Sequence, residues 1–184
     1  MGLPGARFPL NEVKGARGPL ILVEPNHEGL PVAAIAARCI AAPRERVWGL
    51  IADVGNYAGH VPMLSHVTRN GDRVKVDLRF RIALFSVGFS FVADAVYEEG
   101  RWLELRYVSG EPRDLCLRFE LEPDGDNRTL IHAAIGFDVL SLGWLVRFFL
   151  KHHPEIRFGV FPGAALVLVE SMRRAAEGGA PIGA

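Results

Sequence analysis

Between Arg73 and Ile82 the chain alternates without a break: Val74, Val76, Leu78, Phe80 and Ile82 on one side, Arg73, Lys75, Asp77, Arg79 and Arg81 on the other. Successive side chains of a strand point to opposite faces, so this pattern specifies a strand with one dry face and one wet face. Its neighbours have the same character. Phe85 to Tyr97 carries Val87, Phe89, Phe91, Ala93 and Ala95 on one face, and Leu115, Leu117, Phe119 and Leu121 alternate with Cys116, Arg118 and Glu120. Further strands are predicted over 32–41, 64–69, 102–109 and 129–137. The breaks between them are short and carry turn chemistry: Asn70-Gly71, Glu98-Glu99-Gly100, Gly110-Glu111-Pro112 and Pro123 to Asn127. Short turns between half-apolar strands make an antiparallel meander.

Helical periodicity appears twice. After Pro43, which suits a first helical position, Val47, Leu50, Ile51 and Val54 form one stripe, stopped at Gly55. After the last strand the period changes back to helical. Ser141 is the expected N-cap of a segment Leu142 to His152, and a second segment runs from Pro162 to about Glu177, with Ala165, Leu168, Met172 and Ala175 on one face. A sheet with one apolar face must cover it, and the C-terminal helix is the element long enough to do so. A sheet curling round one helix seldom fills its concave side completely, so a cavity is expected there.

The 184 residues suit one domain, expected over 31–178. Residues 1–30 read as a flexible Gly- and Pro-rich arm, with an apolar run at Leu20 to Val23 able to add one strand, and 179–184 as a disordered tail. Lysine and arginine number 21, and aspartate and glutamate also 21. This balance gives no overall attraction to nucleic acid. The outward row Arg73, Lys75, Arg79 and Arg81 reads as a solvated face paired with Glu104, Asp114 and Glu120. Cys39 and Cys116 read as buried thiols of a reducing compartment. No apolar leader or spanning segment is seen, so a cytoplasmic location is expected.

The stretch Ile40 to Asp53, with its Ala-Pro start, Val47-Trp48 and terminal Asp53, followed by Tyr57 and Val61-Pro62, resembles the opening of the START-like (SRPBCC) superfamily. The likeness is to its polyketide cyclase/dehydrase and coenzyme Q-binding branch. It implies an α+β helix-grip fold, a curved antiparallel sheet of about six or seven strands around a long C-terminal helix. It also implies a deep cavity for a lipid, quinone, sterol or polyketide, with no cofactor. The chain departs from the family pattern in its long N-terminal arm, in the extra segment Leu142 to Leu150, and in Pro154 and Pro162.

Function then narrows to two readings. The first is binding, with transport, of an apolar molecule lined by Leu78, Phe80, Phe89, Phe91, Leu105, Tyr107, Leu117, Phe119, Ile135, Phe137, Leu168 and Met172. The second is a cofactor-free polyketide aromatase/cyclase using acid-base groups in the same cavity. Its candidates are Tyr57, His60, His66, Arg106, Tyr107 and His132, none of which is assigned a catalytic role. Alternation places Tyr107 with Leu103 and Leu105 on the apolar face and His132 on the convex side or an edge. No metal site is expected, because His152-His153-Pro154-Glu155 lacks the one-turn spacing of paired ligands. Trp144, Arg147, Phe148, Phe149 and Lys151 belong to a segment apolar nearly all round. It is expected at the cavity mouth, either as a lid or dimer contact or as a peripheral membrane contact.

Overall fold

The computed structural model describes residues 8–82 and 85–180. The side chains of 80–85 lie outside the description, and with them that of Phe80; so do residues 1–7 of the arm and 181–184 of the tail.

Eight strands form one antiparallel sheet: β1 (Leu20–Pro25), β2 (Pro31–Ile40), β3 (Leu64–Asn70), β4 (Arg73–Ile82), β5 (Phe85–Glu98), β6 (Trp102–Gly110), β7 (Arg113–Pro123) and β8 (Thr129–Asp138). Their order is β1-β2-β8-β7-β6-β5-β4-β3. The strand beyond the expected six or seven is β1, which pairs Leu20 with Ala37 and Val23 with Ala34. The apolar run of the arm satisfies its backbone groups on the free edge of β2. Ahead of it, α1 (Leu10–Gly15) covers the outer face, where Val13 is buried with Ala37 and Leu130.

The meander forms because each alternating strand pairs with the next through a tight turn, as Leu78 with Phe89 and Leu105 with Leu117. The return is the pairing of β2 with β8, Ala36 opposite Ala133. The helix α2 (Arg44–Ala52) begins after Pro43 and buries Val47 and Ile51. It ends at Asp53, before Gly55, and a 3-10 turn follows (Val54–Gly59).

The C-terminal region departs from expectation at both helix starts. Ser141 does not cap a helix. Its hydroxyl donates to the Asp138 carbonyl and accepts from the Arg113 amide, while the Asp138 carboxylate caps a short 3-10 turn, Val139–Ser141. The helix α3 then runs Gly143–His152. After a turn at Pro154–Ile156, α4 spans Arg157–Glu177 and contains Pro162 rather than starting at it. Pro162 stands close to the helix start, where it removes one backbone bond next to groups that have no helical partner anyway. Gly178, in the left-handed conformation at φ 78°, closes α4.

The grip is made by α4, which lies along β2, β8 and β1, while α2 packs against α4 and β7 and the Val54–Gly59 turn against β3. No helix packs closely along β4, β5 or β6 among the described residues. The Arg38 guanidinium on the inner face of β2 pairs with Glu170 on α4, and Glu177 accepts from the Ala41 amide. Both contacts fix the helix at one end of the sheet.

Candidate ligand-binding site

The strands run between two ends of the sheet, one where α2 packs against β7 and α4, and the opposite one, from which β8 leads into the segment before α4. The two ends are packed differently. At the first, Val74, Ala93, Leu103, Phe119, Ile131, Ala133, Val169 and Met172 are each 0% exposed. Phe119 meets Tyr57 edge-on, ring centroids 6.3 Å apart. This half is closely packed, though Leu121 at its end of β7 keeps 6%. At the second, inward-facing Phe89, Ile135 and Phe137 each keep 9% of their surface, and Phe91, Leu115, Leu117, Val139 and Leu168 also retain some. Leu78, Tyr107, Val160 and Ala164 are only half-buried against the same core. A side chain that faces inward and still has accessible surface must border a space that admits water.

The expected lining residues therefore divide. Phe119 and Met172 sit in the closed half, and Leu105, buried directly opposite Leu117, lies at the boundary. Leu78, Phe89, Phe91, Tyr107, Leu117, Ile135, Phe137 and Leu168 lie in the open half, and Phe80 belongs to the same end of β4 by register with Val87. Sequence reading passed over Val139, Val160 and Ala164. Val160 was missed because the helix was started at Pro162, whereas its spacing from Ala164 and Leu168 continues the inward stripe. A separate surface groove of about 390 Å³ lies at the same end of the sheet on the β3–β4 edge, between Met63, Leu64, Ser65 and the outward-facing Arg79 and Ser86.

The titratable candidates do not converge on this space. The Tyr57 hydroxyl donates to the Ile51 carbonyl at 2.6 Å. Burial, with Asp53 nearby, pushes its pKa well above the usual phenol range. Arg106 donates to Glu104 at 2.8 Å. His132 is on the outer face as expected from alternation, but it is buried there, opposite Ala37 and Glu120, not at an edge. His66 is exposed on the edge strand β3, and His60 is half-buried just after the Val54–Gly59 turn. Tyr107 is the one candidate beside the open part of the concave side, half-buried against the core, and its hydroxyl donates to the Gly110 carbonyl at 3.0 Å.

Gly110 sets that geometry. Its φ is 101°, and a Cβ there would stand 2.2 Å from the Ser90 carbonyl oxygen, where β6 shifts register against β5. The outer charges pair differently from expectation. Arg73 bonds Asp94 at 2.6 Å on the adjacent β5, and Arg118 bridges Glu104 at 2.9 Å and Glu120 at 2.6 Å. The reason is topological, since β5 separates β4 from β6 and its acids.

At the open end, α3 turns Leu150 inward and leaves Trp144 72%, Phe148 53% and Phe149 39% exposed. Arg147 and Lys151 are exposed as well. No group of residues among those described could hold a metal ion, and none of their helices is long and apolar enough to cross a membrane.

Solved structures share this architecture. A protein from Thermus thermophilus superposes with a TM-score of 0.62 at 14% identity, covering 78% of this chain and 96% of that one. A START superfamily protein from Mycobacterium smegmatis gives 0.57 at 15% identity over 80% and 98%. The Zhui aromatase/cyclase from Streptomyces sp. R1128 gives 0.52 at 21% identity, again over 80% and 98%. At these identities the likeness is one of fold. No curated protein matches the sequence significantly. A sequence model for polyketide cyclase / dehydrase and lipid transport matches residues 40–153, more than half of the chain. Its sequence match and its START-like grip agree, and the chain belongs to the polyketide cyclase/dehydrase and lipid transport family.

Proposed function

We propose that this protein binds one apolar small molecule, of the size of a lipid, quinone, sterol or polyketide, in the open half of the grip, and carries it without changing it. The observation behind this reading is the residual exposure of inward-facing Phe89, Leu117, Ile135, Phe137 and Leu168. Five inward side chains that keep accessible surface, beside β4, β5 and β6 along which no helix packs closely among the described residues, leave room for an apolar guest. Carriage without chemistry is favoured because the acid-base candidates other than Tyr107 point elsewhere or are locked. The test is native mass spectrometry of the purified protein, with extraction of any co-purified lipid, together with titration by an apolar fluorescent probe. A protein that carries no guest and does not bind the probe overturns the reading.

One observation favours a cofactor-free cyclase as the second reading: Tyr107 places a phenol on the concave side. There it would donate a proton or hydrogen bond to a ketone oxygen. If Tyr107→Phe leaves probe affinity intact and abolishes turnover of a poly-ketone substrate, the second reading replaces the first.

A further inference from the structure

The outer surface of α3 is organised in two rows. Trp144 and Phe148 stand one helical turn apart, and Arg147 and Lys151 form the adjacent row at the same spacing. The turn after α3 and the start of α4 extend the apolar row, with Ile156 43% and Phe158 55% exposed. These two were not foreseen from sequence. Large exposed apolar side chains on three successive elements make more than scattered surface hydrophobicity. The charge around them has one sign. From Val139 to Val169 the chain carries Arg147, Lys151 and Arg157 and a single acid, Glu155. Glu155 is taken by His153 at 3.0 Å, and the three cations pair with no carboxylate among the described residues. Elsewhere on the protein Arg38, Arg73, Arg113, Arg118 and Arg173 are held by acidic partners.

From this juxtaposition we infer that the face built by α3, the Pro154–Ile156 turn and the first turn of α4 docks on the surface of a bilayer containing anionic lipid. Trp144, Phe148 and Phe158 enter the boundary between headgroups and acyl chains. Arg147 and Lys151 meet the phosphates, and Arg157, half-buried with its Nε enclosed, adds positive charge behind them. Exposed aromatics beside unpaired cations suit that interface, where one side is apolar and the other negative. A second copy of the chain fits worse. A two-fold contact through this face would bring three cations against their own copies, with Glu155 the one acid to offset them. The docking stands on this surface alone. Its use, loading an apolar guest through the adjoining open end without passage through water, rests on the ligand-binding reading.

Co-sedimentation with ligand-free vesicles of phosphatidylcholine, with and without phosphatidylglycerol, tests the docking, with circular dichroism confirming that each variant is folded. Wild type is expected to pellet with the anionic vesicles and to be released by salt. Trp144→Ser/Phe148→Ser should lose the association. Arg147→Gln/Lys151→Gln should weaken the partition coefficient by about 25-fold, at roughly fivefold per cation. Wild type that does not pellet, or folded variants that pellet as wild type does, overturns the inference. So does concentration-dependent self-association of wild type that the aromatic variant abolishes, which would make the face an interface between copies. Probe titration in vesicle-free buffer is read separately: docking with no probe binding sinks the ligand reading and leaves the docking in place.

Discussion

The rings of Phe137 on β8 and Phe161 on α4 lie 4.9 Å apart and inclined at 48°. Phe161 is completely buried, while Phe137 keeps some exposed surface. The pair thus stands at the open end of the grip and pins the N-terminal half of α4 to the sheet beside the candidate cavity. Phe161→Ala is expected to destabilise the fold by about 3–5 kcal/mol, read from urea unfolding. A loss under about 1 kcal/mol would mean that the helix start is not held by this ring.

The division of the concave face into a filled and an open half makes opposite predictions for two phenylalanines. Phe89→Arg should leave a folded protein that no longer binds an apolar probe, because the cationic head can reach the water-accessible space. Phe119→Arg should prevent folding, because a charge there has neither water nor a partner. Circular dichroism and probe titration separate the outcomes. A folded Phe89→Arg protein with wild-type probe affinity would remove Phe89 from the site.

Gly110 holds a conformation that other residues resist, and it sits against the backbone of Ser90 and Phe91. Gly110→Ala combines an unfavourable φ with a Cβ well inside van der Waals contact distance of a carbonyl oxygen. It should cost several times the ~1 kcal/mol of an ordinary glycine replacement and disturb the Tyr107 hydrogen bond, since neither backbone can retreat without opening the β5–β6 pairing. Thermal unfolding measures the first effect, and the near-ultraviolet signal of tyrosine the second.

Alkaline pH should destabilise the protein through Tyr57. Its folded pKa is raised by burial first and Asp53 second, so the folded state keeps the phenolic proton while the unfolded chain releases it near pH 10. The stabilising difference is fully present below about pH 10 and declines as the pH rises above it. Tyr57→Phe should flatten that decline and lose about 1 kcal/mol at neutral pH with the hydrogen bond to Ile51. Denaturation midpoints between pH 8 and 11 decide this.

The two cysteines are half-buried on strand faces, not fully enclosed. Burial, and then Glu104, pushes the Cys116 thiol up to about 11. At pH 8 about one molecule in a thousand would carry the thiolate, so alkylation of Cys116 by iodoacetamide should be slow in the native protein and fast in urea. Mass-spectrometric labelling kinetics give the comparison.

The sequence by itself determined the elements whose cause is local. Alternation at Val74 to Ile82 and Leu115 to Leu121 specifies half-buried strands, Asn70-Gly71 and Glu99-Gly100 specify tight turns, and the stripe through Leu168 and Met172 specifies a helix that must be covered. These follow from chain periodicity and turn stereochemistry, which need no knowledge of distant partners. Together with the Ala42-Pro43 and Val47-Trp48 pattern, they were enough for the helix-grip fold and for the inward orientation of most of the residues expected to line a cavity. What only the tertiary structure decided was how completely each inward position is filled. Phe89 and Phe119 are the same residue in the same kind of alternation, yet one borders open space and the other meets Tyr57. The difference lies in where α2 and α4 cross the sheet. Trp144 and Phe148 make the same point from outside. Their apolar character was plain, but a segment apolar nearly all round reads equally as core or as surface. Only the inward turn of Leu150, which commits the opposite face of α3 to solvent, settled which side chains are left uncovered.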